Sequence, residues 1–73
     1  MSDLIELKEK TQVSREEAAG RLREIADQLA RHNNLEFERG GMTIKAKVPD
    51  QVNLKLEFEI SEDETEMEIE LTW

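Results

Sequence analysis

The sequence predicts an α+β domain of two layers, one helix packed on one face of a mostly antiparallel five-stranded sheet. Two observations carry that expectation. Residues 52 to 73 alternate apolar and polar almost without error on either side of an acidic turn, the pattern of two half-buried strands. Ahead of them, one segment repeats apolar residues at helical spacing behind a clear start signal. At 73 residues the chain is sized for one domain, spanning 1–73, with a core near the lower limit for independent folding. The expected order of elements is β-α-β-β-β-β.

In chain order, Leu4 to Lys10 is the first strand candidate, with Ile5 and Leu7 on one side and Lys8 and Lys10 on the other. A helix start follows. Ser14 and Glu17 have the spacing of a capping box, and Val13 is placed to staple onto Ala18. Ala18, Leu22, Ile25, Ala26 and Leu29 form one apolar stripe, while Arg21, Glu24, Asp27, Gln28 and Arg31 fall mostly toward water. Gly20 either weakens the helix by roughly 1 kcal/mol relative to Ala or admits a close approach to the sheet. His32-Asn33-Asn34 ends the helix, since Asn tolerates the left-handed cap conformation. The helix is then roughly 26 Å long, enough to cross a small sheet.

The remaining strands have a derivable register. Gly40-Gly41 suits a two-residue hairpin turn with positive φ, setting Arg39 opposite Met42, Phe37 opposite Ile44 and Glu36 opposite Lys45. Pro49-Asp50-Gln51 is the next expected turn, setting Val48 opposite Val52 and Lys45 opposite Lys55. The acidic turn sets Ile60 opposite Thr65, Phe58 opposite Met67 and Lys55 opposite Glu70. An inner apolar face and an outer charged face result, and a slip of one residue would mix them. The first strand belongs at a sheet edge. Beside the last strand, Lys8 and Lys10 would relieve the like-charge rows of Glu66, Glu68 and Glu70; the alternative is a parallel pairing beside Leu35–Arg39.

Several stretches are similar to a known family. The C-terminal Glu66-Met67-Glu68-Ile69-Glu70-Leu71-Thr72-Trp73 resembles the amphi-Trp domain of short bacterial and archaeal proteins, named for an amphipathic end with a tryptophan. The helix start Ser14-Arg15-Glu16-Glu17-Ala18-Ala19 and the Leu35-Glu36-Phe37 segment are similar to it as well. The resemblance covers nearly the whole chain. It implies no particular activity and carries no functional residue onto this sequence.

Composition narrows the function classes. A net charge of −8 repels phosphate backbones, so nucleic acid and anionic membrane surfaces are not expected partners. With no cysteine there is no disulfide or thiolate metal site. No leader pattern and no bilayer-length apolar run occur, so a soluble cytoplasmic protein is expected. No metal or other cofactor is expected. His32 is the single histidine and reads as a helix-end residue interacting with the dipole. Glu62, Asp63, Glu64 and Glu66 lack the ligand spacing and turn glycine of a Ca²⁺ loop, and read as a solvated turn.

Two groups of residues are candidates for binding. Trp73, opposite Val52 and near Val48 at one end of the core, is placed to anchor an interface. Lys45, Lys47 and Lys55 form the basic patch of an acidic protein, flanked by Glu36 and Glu70. Arg39 shares the inner-face parity and is expected to pack its stem while its guanidinium reaches solvent or an anion. The expected function is a small non-catalytic interaction module, a homodimer or an accessory to another protein. The alternative is a binder of a small ligand or ion through Arg39, the lysine patch or the acidic turn. An enzyme ranks third, because the residue types form no nucleophile–base or paired acid/base constellation.

Overall fold

In the computed structural model, Glu6 and residues 8–73 are described. The order is helix α1 (Arg15–Arg31), then strands β1 (Asn34–Arg39), β2 (Met42–Lys47), β3 (Asn53–Ile60) and β4 (Thr65–Thr72). The helix caps and the glycine turn of the sequence have their structural counterparts. Ser14 caps α1, its Oγ accepting the Glu17 N–H at 3.0 Å, and the first turn carries Glu16 and Glu17 toward the positive end of the dipole. At the other end the His32 N–H donates to the Gln28 carbonyl, and Asn33 adopts φ 51°, the left-handed conformation that stops a helix.

Gly40 and Gly41 have φ of 59° and 80°, as a tight hairpin turn between β1 and β2 requires. Their strands pair antiparallel in the expected register, with Glu36 opposite Lys45, Phe37 opposite Ile44 and Arg39 opposite Met42. The second hairpin joins β3 to β4 with Leu54 opposite Leu71, Leu56 opposite Ile69 and Phe58 opposite Met67.

The sheet, however, is not five-stranded. The four strands form two separate antiparallel sheets of two strands each, β1-β2 and β3-β4. Between them, residues 48–52 run without a hydrogen-bonded turn, bending at Asp50. The Val48 N–H donates to the Asn33 carbonyl at 3.0 Å, so the chain follows β1 up to Pro49 and then departs. Val48 and Val52, and Lys45 and Lys55, are therefore not paired. Proline contributes no donor there, and none of 49–51 takes the left-handed conformation with which a three-residue hairpin loop closes.

The first expected strand, 4–10, lies in part outside the described residues; Glu6 and residues 8–10 carry no strand. Residues 8 and 9 lie beside β1 and α1, not beside the last strand, because the Arg39 guanidinium donates to the Lys8 carbonyl and Glu9 pairs with Arg21 at 2.6 Å. That is the side of the alternative placement.

The expected helix-over-sheet layer is only partly built. Helix α1 packs on β1 and touches neither β3 nor β4. Ala18 and Leu29 are half-buried, whereas Leu22 and Ile25 remain 50% and 37% exposed. No described residue is buried. The Cα radius of gyration is 14.2 Å, against about 11 Å for a compact chain of this length. The open side of the molecule is the apolar face of the second hairpin.

Candidate interaction site

Strict alternation builds this site. In β3, Leu54, Leu56, Phe58 and Ile60 share one face, and in β4 Met67, Ile69 and Leu71 stand opposite them. The turn between the strands is closed by Ser61. Its N–H donates to the Glu64 carbonyl at 2.9 Å, its hydroxyl donates to the same carbonyl at 2.9 Å, and its Oγ accepts the Glu64 N–H at 3.3 Å. Glu62 and Asp63 lie at the tip of this turn, in solvent. The turn is thus shaped by the Ser61 hydroxyl and backbone atoms, and the described residues contain no cluster of three metal-ligating side chains.

Leu71 is half-buried. Leu54, Leu56, Phe58, Ile60, Met67, Ile69 and Trp73 are between 46% and 72% exposed. Trp73 follows the last strand pair, Asn53 with Thr72, and lies 51% exposed; Val52, preceding the same pair, is 37% exposed. Val48 is half-buried, held by its bond to Asn33. Six of these side chains, Leu54, Leu56, Phe58, Ile60, Met67 and Ile69, share one face of the hairpin. Monomeric soluble proteins rarely show a contiguous apolar patch beyond roughly 300–600 Å², and at on the order of 100 Å² for each half-exposed large side chain this one reaches the top of that range.

The opposite face of the same hairpin is acidic. Glu57 faces Glu68 and Glu59 faces Glu66, while Lys55 faces Glu70. Lys55 leans along its own strand to Glu57, Nζ to Oε2 at 3.7 Å. Like charges placed opposite each other oppose the pairing by tenths of a kcal/mol, so the hairpin is held by its backbone ladder and its apolar rows.

Strand edges divide into covered and bare. Along the outer edge of β1, Gln28 reaches from α1 and its Oε1 accepts the Glu36 N–H at 2.9 Å. Arg39, the inner-face candidate for an anion, spends its guanidinium on the Lys8 carbonyl. Arg21, held between Glu9 and Glu17, has its guanidinium pushed further above its ordinary range, chiefly by the hydrogen bond to Glu9. By contrast β2, β3 and β4 each pair with one neighbour only, which leaves the second edge of each unpaired among the described residues. Gln28 had no sequence signal for this role, since polar parity on α1 points it to water; only the angle of the helix on β1 brings it to the strand.

The basic patch is split. Lys45 and Lys47 line an open depression of about 470 Å³ together with His32, Asn33, Asn34 and Val48. Lys55 belongs to the other sheet. Lys45 stands opposite Glu36 in register, yet no ion pair joins them among the described residues. His32, placed by sequence at the helix end, thus enters the margin of the lysine site.

No described helix is long and apolar enough to cross a membrane. One helix, two amphipathic hairpins and an uncovered apolar face define a small α+β domain organised around a surface. The chain belongs to the Amphi-Trp domain family, whose sequence model matches residues 1–73. No curated protein and no solved structure matches it.

Proposed function

We propose that this protein is a small non-catalytic interaction module whose contact surface is the apolar face of the second hairpin, with Trp73 at one end and a bare strand edge alongside. One observation carries this reading: six large apolar side chains on one face of the hairpin, each about half exposed or more, with Trp73 half exposed just beyond the last strand pair. Burying such a face removes apolar area from water at roughly 25 cal/mol per Å², and an aromatic such as Phe58 within it or Trp73 at its end suits an anchor role. The single His, the absence of Cys and Tyr, and the scatter of the carboxylates argue against catalysis. The acidic charge argues against nucleic acid and anionic membranes as partners, and a cytoplasmic setting fits the same composition.

The test is site-specific photo-crosslinking in cells from position 58 and, separately, from position 59 on the opposite face. A discrete protein adduct is expected from 58 and not from 59. Equal labelling from both faces, or none from 58, contradicts the reading.

A second reading rests on the depression holding Lys45, Lys47 and His32, which no carboxylate lines among the described residues. It fits a small anion. Titration with inorganic phosphate should then move the amide resonances of Asn34, Lys45 and Lys47 in parallel; unmoved resonances at millimolar phosphate remove it.

A further inference from the structure

We propose that the partner covering the second hairpin is a second copy of this chain, and that the two copies exchange these hairpins, β3 of each pairing antiparallel with β2 of the other. This rests on reading the hairpin as an interaction surface, and it names the occupant.

The area of the chain argues for a large intermolecular burial. The accessible surface is 7235 Å² at 8.5 kDa, whereas a compact monomer of that mass exposes about 4,700 Å². The difference, about 2,500 Å² per chain, exceeds the roughly 800 Å² per partner of a standard interface and falls in the range of obligate dimers. With no buried residue among those described, the extended arrangement lacks the core that a domain needs for a net stability of several kcal/mol.

Edge chemistry selects the pairing. Both β2 and β3 have an edge unpaired among the described residues, and their sequences are complementary in register about the 48–52 segment: Ala46 meets Leu54, Ile44 meets Leu56 and Met42 meets Phe58, all on the apolar face. On the polar face the same register sets Thr43 opposite Glu57, Lys47 opposite Asn53 and Lys45 opposite Lys55; that one like-charge pair has Glu57 as a diagonal neighbour and lies on a received hairpin that also carries Glu59, Glu66, Glu68 and Glu70. An antiparallel union of two β4 edges would instead set rows of Glu66, Glu68 and Glu70 against each other, which like-charge repulsion disfavours.

The hinge explains why the pairing crosses between chains. Residues 48–52 contain Pro49 and carry the second hairpin away from α1 and β2, with which it makes no contact. A short connection of this kind, able to open instead of turning back, is the usual route to exchange of an element between identical protomers. The exchange is reciprocal and closes with two-fold symmetry, so it removes two bare edges per chain without building a fibre.

The test uses the absence of native cysteine. Lys45→Cys and Lys55→Cys are introduced singly and together; both positions are exposed and lie opposite each other in the exchanged register. Mass is measured by light scattering on the unmodified chain, and bridges by non-reducing electrophoresis. The proposal expects a dimer of the unmodified chain, a covalent dimer from the double variant, and a covalent heterodimer when the two single variants are unfolded and refolded together. A monomer whose double variant closes a bridge within one chain overturns the exchange and also removes the face as a free surface. A monomer that forms no bridge overturns the exchange while leaving the face to a different protein. A dimer in which 45 and 55 never bridge also overturns it, since the copies then associate without strand exchange.

Discussion

Gly20 offers the most quantitative test of the helix. It lies inside α1, on the opposite side of the cylinder from the stripe of Ala18, Leu22, Ile25 and Leu29. A Cβ built on Gly20 meets no atom within 4 Å. Close approach to the sheet, one of the two roles that the sequence allowed it, is therefore excluded in this structure. What remains is the intrinsic cost of glycine in a helix, about 0.8–1.0 kcal/mol relative to Ala, part of it from the freedom that glycine retains in the unfolded chain. Gly20→Ala should stabilise by about 1 kcal/mol. In a chain of this length that raises Tm by about 4–8 °C, measured by circular dichroism at 222 nm at matched protein concentration. A Tm that falls would refute the reasoning, because it requires another backbone to approach this side of α1. A Tm that does not move would place the helix outside the cooperative unit.

Other positions yield smaller effects. Ser14→Ala removes the oxygen that accepts the Glu17 N–H and should cost about 1 kcal/mol, read from the denaturant midpoint. Gln28→Ala leaves the Glu36 N–H without its protein acceptor; since the site is exposed, water takes over, so the expected loss is under about 1 kcal/mol with faster amide exchange at Glu36. A double-mutant cycle on Glu36→Lys and Lys45→Glu should give a coupling of no more than about 0.5 kcal/mol, as for exposed pairs that are opposite in register but not ion-paired.

How far the sequence revealed this fold depends on the range of each signal. Ser14, Asn33 and Gly40-Gly41 act within a few residues, and each fixed its cap or turn as expected. Alternation within a hairpin fixed both registers, because a slip of one residue would turn the apolar set of each strand outward. The β2–β3 pairing had only Pro49-Asp50-Gln51 behind it, a turn without glycine. It did not form, and the five-stranded sheet fell with it. The helix stripe identified what needs cover but not what covers it: Leu22 and Ile25 stay exposed because the hairpin expected beneath them is elsewhere. Among the binding candidates, Trp73 lies half exposed just beyond the last strand pair, whereas Arg39 found a backbone partner, Lys8, that no local pattern announces. Lys55 was grouped with Lys45 and Lys47 through the same unformed pairing.

Trp73 is the only tryptophan, and it sits half exposed just beyond the last strand pair of the second hairpin, so its emission reports whether another chain covers that end of the hairpin. The measurement is the emission maximum of the purified protein, equilibrated at a series of concentrations from nanomolar to high micromolar. Association through the hairpin predicts a maximum that moves to the blue with increasing concentration, following one dissociation curve that coincides with the doubling of mass. A maximum that stays constant across the series, with the mass of one chain throughout, would contradict it.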